Sequence, residues 1–160
     1  LESFLNSSWY DAYGCSPVYH IKSRPGYEQV LQQALHRKQA EGNLQVYAKH
    51  SMPSRLHYRN HRRIHDFVVV AQEGWSLHAS QQDAEAQRHH RGQHGYDNLV
   101  GAMRPLFVAT GPSFKRAYRH GNAFTNVDLY PLMLQLLGIK ADTYYHEGNL
   151  TYVASMLRSK

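Results

Sequence analysis

Phe67-Val68-Val69-Val70-Ala71 is an unbroken apolar, largely β-branched run, and its reading decides the fold. Successive side chains of a strand point to opposite faces of a sheet, so a run with no polar alternate suits a strand that is dry on both sides. Such a strand needs a layer above and a layer below, which points to α/β architecture. Glu73-Gly74-Trp75 closes the run as a turn followed by a packing aromatic; the Glu73 carboxylate has no partner base or nucleophile beside it in the sequence. Leu106-Phe107-Val108-Ala109 has the same character and predicts a second strand of the central sheet, with Gly111-Pro112 turning the chain behind it.

Toward the N-terminus, Leu44-Gln45-Val46-Tyr47-Ala48 and Leu56-His57-Tyr58 alternate apolar and polar side chains and predict short strands with one wet face, flanking a turn at Met52-Pro53-Ser54. From Tyr27 to Ala40 the apolar positions Tyr27, Val30, Leu31, Ala34 and Leu35 keep the helical period, between Pro25-Gly26 and Gly42-Asn43. Residues 17 to 22 predict one strand, and the mixed aromatic, Ser and Gly stretch before it predicts a loop. Toward the C-terminus, Ser76 to Gln93 reads as an exposed, mobile loop with one helical turn at Gln81 to Gln87. A helix is expected from Asp128 to Leu137, with Asp128 as its N-cap, Pro131 in the first turn and Gly138 as its stop. Thr151 to Ala154 then forms a short strand or tail. No internal repeat appears, and no boundary divides the chain into two domains.

With 160 residues, 42% of them hydrophobic and 12% aromatic, the chain has material for a folded core. No apolar run approaches the roughly 18 residues needed to span a membrane. The chain begins with Leu1 and carries no charged-then-apolar leader, so it reads as a piece of something longer. Eighteen Lys and Arg against 12 acidic residues give a net charge of +6. The basic residues are dispersed, with clusters at His61-Arg62-Arg63 and Arg88-His89-His90-Arg91 in loops, and neither a recognition helix nor an aromatic stripe accompanies them; no nucleic-acid recognition is expected. Cys15 is alone, either a small apolar core residue or half of a bridge to a segment outside the chain.

His94 is the candidate of most interest, since an imidazole on a Gly-containing loop can be turned toward a metal. Asp97 and Asn98 follow it and either stabilise the turn or support the ligand, and Gly95 lets the backbone pass close by. His57, His61 and His65 recur at four-residue spacing, which on a helix would stack three imidazoles; Arg59-Asn60-His61-Arg62-Arg63 reads instead as a polar turn, so no metal site is assigned there. His89 and His90 are taken as solvated. Neither a phosphate-cradling Gly-rich loop nor a G-x-S-x-G elbow is present. Asn6-Ser7-Ser8 and Asn149-Leu150-Thr151 are acceptors for N-glycosylation, at Asn6 and Asn149.

His94-Gly95-Tyr96-Asp97-Asn98, then Met103, the apolar 106 to 109 segment and Gly111-Pro112-Ser113-Phe114, together resemble the ectonucleotide pyrophosphatase/phosphodiesterase family. The resemblance continues through Asn126-Val127-Asp128-Leu129-Tyr130-Pro131-Leu132-Met133 and Leu136-Leu137-Gly138-Ile139. It reaches back through Glu73-Gly74-Trp75 and Arg63-Ile64 to Arg55-Leu56-His57-Tyr58, covering roughly residues 45 to 151. It implies a partial alkaline-phosphatase-like fold, a central sheet flanked by helices that is incomplete as given, with residues 1–160 forming the C-terminal portion of one catalytic domain. It implies two zinc ions in the full-length enzyme, with His94 as the one ligand in this chain, and a threonine nucleophile and the remaining ligands upstream. The substrates implied are small phosphodiesters or nucleotides, at an extracellular or cell-surface location, with membrane anchoring only through segments outside the chain.

The fragment alone is then expected to be inactive. Branches acting on choline phosphodiesters or lysophospholipids stay open, as does a truncated or inactive homologue serving as a secreted binding or structural protein. The chain departs from the family in carrying Leu134 where a cysteine is common, and in lacking the usual Pro-Asn-Asn-Gly-Thr run between Lys140 and Glu147.

Overall fold

In the computed structural model, which describes residues 1–140 and 146–158, the Phe67 run is a strand in the interior of a sheet. Four strands, β1 (Tyr10–Cys15), β2 (Val18–Ser23), β3 (Leu44–Ala48) and β4 (Phe67–Ala71), lie in the order β1-β2-β4-β3. Every neighbouring pair is antiparallel, with Tyr19 opposite Val69 and Val46 opposite Val69 across the two sides of β4. β4 is covered on both faces, as its composition requires. Phe67, Val69 and Ala71 join Tyr19, Ile21, Leu44 and Val46 under the helix α1 (Glu28–Ala40), which contributes Leu31, Ala34 and Leu35. Val68 and Val70 face a smaller cluster of Met52, Leu56, Ile64, Val18 and Tyr47. The result is the expected α/β arrangement of sheet and helices.

The chain divides into two compact units, Leu1–Pro105 and Leu106–Lys160. The first contains the sheet, α1 and a short helix α2 (Gln81–Gln87) capped by Ser80, whose Oγ accepts from the Asp83 N–H at 3.1 Å. The second contains α3 (Leu129–Leu137), short 3-10 turns and a core of Leu132, Val153 and Met156.

Several expectations need correction. β1 lies in the stretch expected to be a loop; it pairs with β2 through the turn at Ser16-Pro17, whose peptide bond is cis. Gly14 is required in it, because φ is +122° and a Cβ would sit 2.6 Å from the Val18 carbonyl oxygen. The strand expected at Leu56-His57-Tyr58 is instead a 3-10 turn, Ser54–Leu56, followed by His57 in the left-handed region at φ 48°, which breaks any extended run. Residues 106 to 109 are not a strand either. Leu106 is 89% exposed and Val108 77%, and among the described residues the four strands pair only with one another. Thr151 to Ala154 falls in two 3-10 turns, Leu150–Tyr152 and Ala154–Met156, after which Leu157 bridges Phe114.

The last helix, α3, follows Asp128 as expected, and a 3-10 turn at Asn126–Asp128, entered from Thr125, leads into it. Asp128 holds the N-cap position of α3 as expected, but its side chain makes no cap hydrogen bond to that helix and instead closes a capping box with Thr125. Its buried carboxylate accepts from the Thr125 N–H and hydroxyl, both at 2.7 Å, and from the Asn149 N–H at 2.8 Å. Burial disfavours the charge, yet these donors hold the Asp128 carboxyl below the ordinary carboxylate range. Most of the Lys140 to Glu147 departure lies outside the described residues; just after it, Gly148 packs so closely that a Cβ would meet the Val127 carbonyl oxygen at 2.1 Å.

Candidate functional site

His94 lies in the irregular segment after α2, with an exposed side chain. Its backbone N–H donates to the Gln93 side chain at 3.1 Å, and no hydrogen bond engages its ring among the described residues. Gly95 has φ +114°, a backbone shape that favours glycine, and a Cβ there would lie 3.5 Å from the Pro17 ring. The close approach at Gly95 is thus to the β1–β2 turn of the same unit.

The residues after Gly95 are tied down in two places. Tyr96 packs against the main core and its hydroxyl donates to the Trp75 carbonyl at 2.8 Å. Trp75 itself is 52% exposed, so its backbone rather than its ring is the anchor, contrary to the packing role expected of it. Asp97 and Asn98 receive the Arg55 guanidinium. Nη1 donates to Asp97 Oδ1 at 2.9 Å and to Asn98 Oδ1 at 2.7 Å, and Nη2 donates to Asp97 Oδ2 at 2.5 Å. Asp97 Oδ1 also accepts from the Leu99 N–H at 2.9 Å, so the same carboxylate closes its own turn. Arg55 holds the Asp97 carboxyl below its usual range despite partial burial, and Asp97 in turn raises the guanidinium.

The role of Arg55 was not read from the sequence. It lies 42 residues from Asp97, and only the fact that both fall in segments shared with one family hinted that they meet.

The other histidines do not converge on a metal. His61 Nδ1 accepts from the Arg63 N–H at 3.2 Å, a local turn, while His65 stacks on Tyr13 with ring centroids 4.7 Å apart. His65 also meets the edge of His20 at 6.1 Å, and His20 is within 3.1 Å of the Tyr58 hydroxyl. Burial first, and the neighbouring His65 second, push the His20 pKa down. His89, His90 and both basic clusters are exposed. Among the described residues no group of three or more His, Cys, Asp or Glu is placed to hold a metal ion. Cys15 is exposed on β1, which removes the reading of it as a core residue.

Both glycosylation acceptors are exposed and share one geometry. Asn6 Oδ1 accepts from the Ser8 N–H at 2.9 Å and hydroxyl at 2.8 Å; Asn149 Oδ1 accepts from the Thr151 N–H at 3.0 Å and hydroxyl at 2.8 Å. A cleft in the first unit, lined by Phe4, Lys38, Leu44, Trp75 and His78 among others, does not include His94.

A family model described as type I phosphodiesterase / nucleotide pyrophosphatase matches residues 1–97. Human ectonucleotide pyrophosphatase/phosphodiesterase family member 5 is 35% identical over 160 residues, 99% of this chain and 31% of that protein. Bis(5'-adenosyl)-triphosphatase of Bos taurus is 32% identical over 152 residues, 95% of this chain and 31% of its own length. The likeness thus reaches the N-terminal residues that lay outside the segment recognised in the sequence. Among solved structures, murine ectonucleotide pyrophosphatase / phosphodiesterase 5 aligns with a TM-score of 0.85 at 32% identity, over 99% of this chain and 40% of that one. An inactive threonine-to-alanine variant of the same murine protein, in complex with AMP, aligns equally well, with a TM-score of 0.85.

Proposed function

Because the chain belongs to the type I phosphodiesterase / nucleotide pyrophosphatase family, we propose that it is the C-terminal portion of a catalytic domain that hydrolyses phosphodiester or pyrophosphate bonds of extracellular nucleotides. The observation that carries this reading is His94, an exposed imidazole with an unengaged ring, set on a turn anchored by Arg55 and Tyr96. A neutral imidazole nitrogen is a good zinc donor, and a catalytic zinc site takes about three protein ligands. One accessible donor fits a ligand given to a shared site. The other donors belong to segments outside the chain, which spans 31% of each curated relative named above. When bound, zinc lowers the pKa of the attacking group and steadies charge on the phosphoryl oxygens. The chain's own part is to present the His94 ring from a backbone held by Arg55, Gln93 and Tyr96.

The nucleophile is a threonine outside this chain, a reading supported by the inactive threonine-to-alanine variant of the murine relative. Its AMP complex and the adenosyl-triphosphatase name of the Bos taurus relative favour nucleotides over choline phosphodiesters or lysophospholipids. The domain acts outside the cell with Asn6 and Asn149 glycosylated, since both acceptors are exposed. Any membrane anchoring is assigned to segments outside this chain; among the described residues no helix is long and apolar enough to cross a membrane.

Hydrolysis of a nitrophenyl ester of a nucleotide, with added zinc, tests the proposal. The full-length protein turns the ester over, loses at least about 100-fold in kcat on His94→Ala, and the isolated chain shows no turnover. Turnover by the isolated chain that vanishes in its His94→Ala variant would overturn the assignment of nucleophile and ligands to other segments. Unchanged turnover by full-length His94→Ala would remove His94 from the site.

A further inference from the structure

Arg55 is one of three side chains, with Gln93 on the Ser16 carbonyl and Tyr96 on the Trp75 carbonyl, that join the His94 turn to the body of the first unit. It projects from the 3-10 turn Ser54–Leu56, where Leu56 packs into the cluster of Met52, Ile64 and Val68 on one face of the sheet. Its guanidinium reaches both oxygens of Asp97 and the amide oxygen of Asn98, three and four residues beyond His94. On its other side the same segment is held by Tyr96 on the Trp75 carbonyl, directly behind β4. Between these two anchors the backbone can shift little, and the two residues leading back to His94 are Gly95, fixed at a positive φ, and Tyr96 itself.

We propose that Arg55 is a positioning residue for metal binding at His94, setting through its fork on Asp97 and Asn98 where the imidazole is presented. The inference rests on the reading of His94 as a zinc ligand. Neither Asp97 nor Asn98 need touch the metal, because their oxygens are spent on Arg55 and on the Leu99 N–H. The planar guanidinium is suited to this: it fills a carboxylate's two oxygens at once and keeps a hydrogen for a third acceptor, whereas an ammonium makes a point contact that leaves the turn free to rotate. Partners that orient a metal-binding histidine typically change affinity by 10- to 100-fold when lost. Arg24, whose Nε and Nη2 both donate to Asp11 Oδ1 on the edge strand β1, is an Arg–Asp pair with no link to His94, and serves as the control.

The test uses the full-length protein and zinc competition against a chelator, with thermal unfolding of the zinc-free protein measured alongside. Arg55→Lys and Asp97→Asn each weaken zinc about 10- to 100-fold, His94→Ala weakens it further, and Arg24→Ala leaves it unchanged. The kcat for a nucleotide ester falls in Arg55→Lys while KM stays near the wild-type value. If Arg55 serves the fold alone, the zinc-free melting point drops but the folded variants bind zinc like wild type, and the proposal is overturned. Should Arg55→Ala fail to fold, Arg55→Lys and Asp97→Asn still decide the question. Wild-type zinc affinity in His94→Ala is a different failure, since it removes the metal reading on which the proposal stands.

Discussion

Replacing Asp128 by Asn keeps the shape of the side chain and removes its charge, at a carboxylate that is 2% exposed. In the native chain it accepts three hydrogen bonds, from the Thr125 N–H, the Thr125 hydroxyl and the Asn149 N–H. Hydrogen bonds to a charged acceptor contribute about 1.5–3 kcal/mol each, and a buried donor left without a partner costs about 1–3 kcal/mol. Asn can satisfy one side with its carbonyl oxygen, but it then points its NH2 at a backbone N–H on the other. Losing one charged contact and orphaning one donor gives roughly 2–4 kcal/mol, because the terms overlap and do not add fully. Hydrogen exchange read by mass spectrometry on the peptides around 125–137 and 149–157 measures the local opening free energy directly.

The sign with pH follows from the same site. The folded carboxyl titrates below the unfolded value of about 3.9, so its contribution is complete above that value and is lost as pH falls through the folded pKa. Wild type should lose protection in these peptides below about pH 4, and the Asn variant should show a flatter acid limb. A change under about 0.5 kcal/mol at neutral pH, comparable to an ordinary surface substitution, would refute the reasoning.

Gly148→Ala should loosen the same unit by at least about 2 kcal/mol, since a Cβ cannot sit 2.1 Å from the Val127 carbonyl without moving backbone; unchanged exchange in 125–137 would count against that packing. Leu35→Ala empties a fully buried position between α1 and the sheet and should cost about 2–5 kcal/mol, read as lost protection of α1 and β4 amides. His20 should titrate below about 6.5 by NMR, so that stability conferred by this face of the sheet rises with pH up to that value; an ordinary or raised pKa would show that the ring is more hydrated than its surroundings indicate.

Much of the first unit was legible because its signals are local. The Phe67 run, the alternation in 44–48 and the helical period of 27–40 each state which face is dry, and each became the element expected. Where the deciding partner is remote, the same logic misled. Leu106-Phe107-Val108-Ala109 has strand composition but no pairing partner among the described strands, whereas Tyr10–Cys15, with Ser, Gly and polar residues around it, becomes a strand because β2 offers a ladder. Leu56-His57-Tyr58 alternates like a strand, yet its polar residues are those of a turn and the following backbone is left-handed. In the site, His94 stood out through a sequence motif, but the anchors that hold its turn did not. Arg55, Trp75 and Tyr96 are brought together only by the fold, and hydrogen bonding to a backbone carbonyl, as at Trp75, leaves no trace in composition or spacing.

The most direct measurement is an anomalous-difference map at the zinc absorption edge, from crystals of the full-length protein. A zinc peak about 2.0–2.1 Å from a ring nitrogen of His94 is the expected result. Occupied zinc sites with the His94 ring turned away from every ion would contradict it.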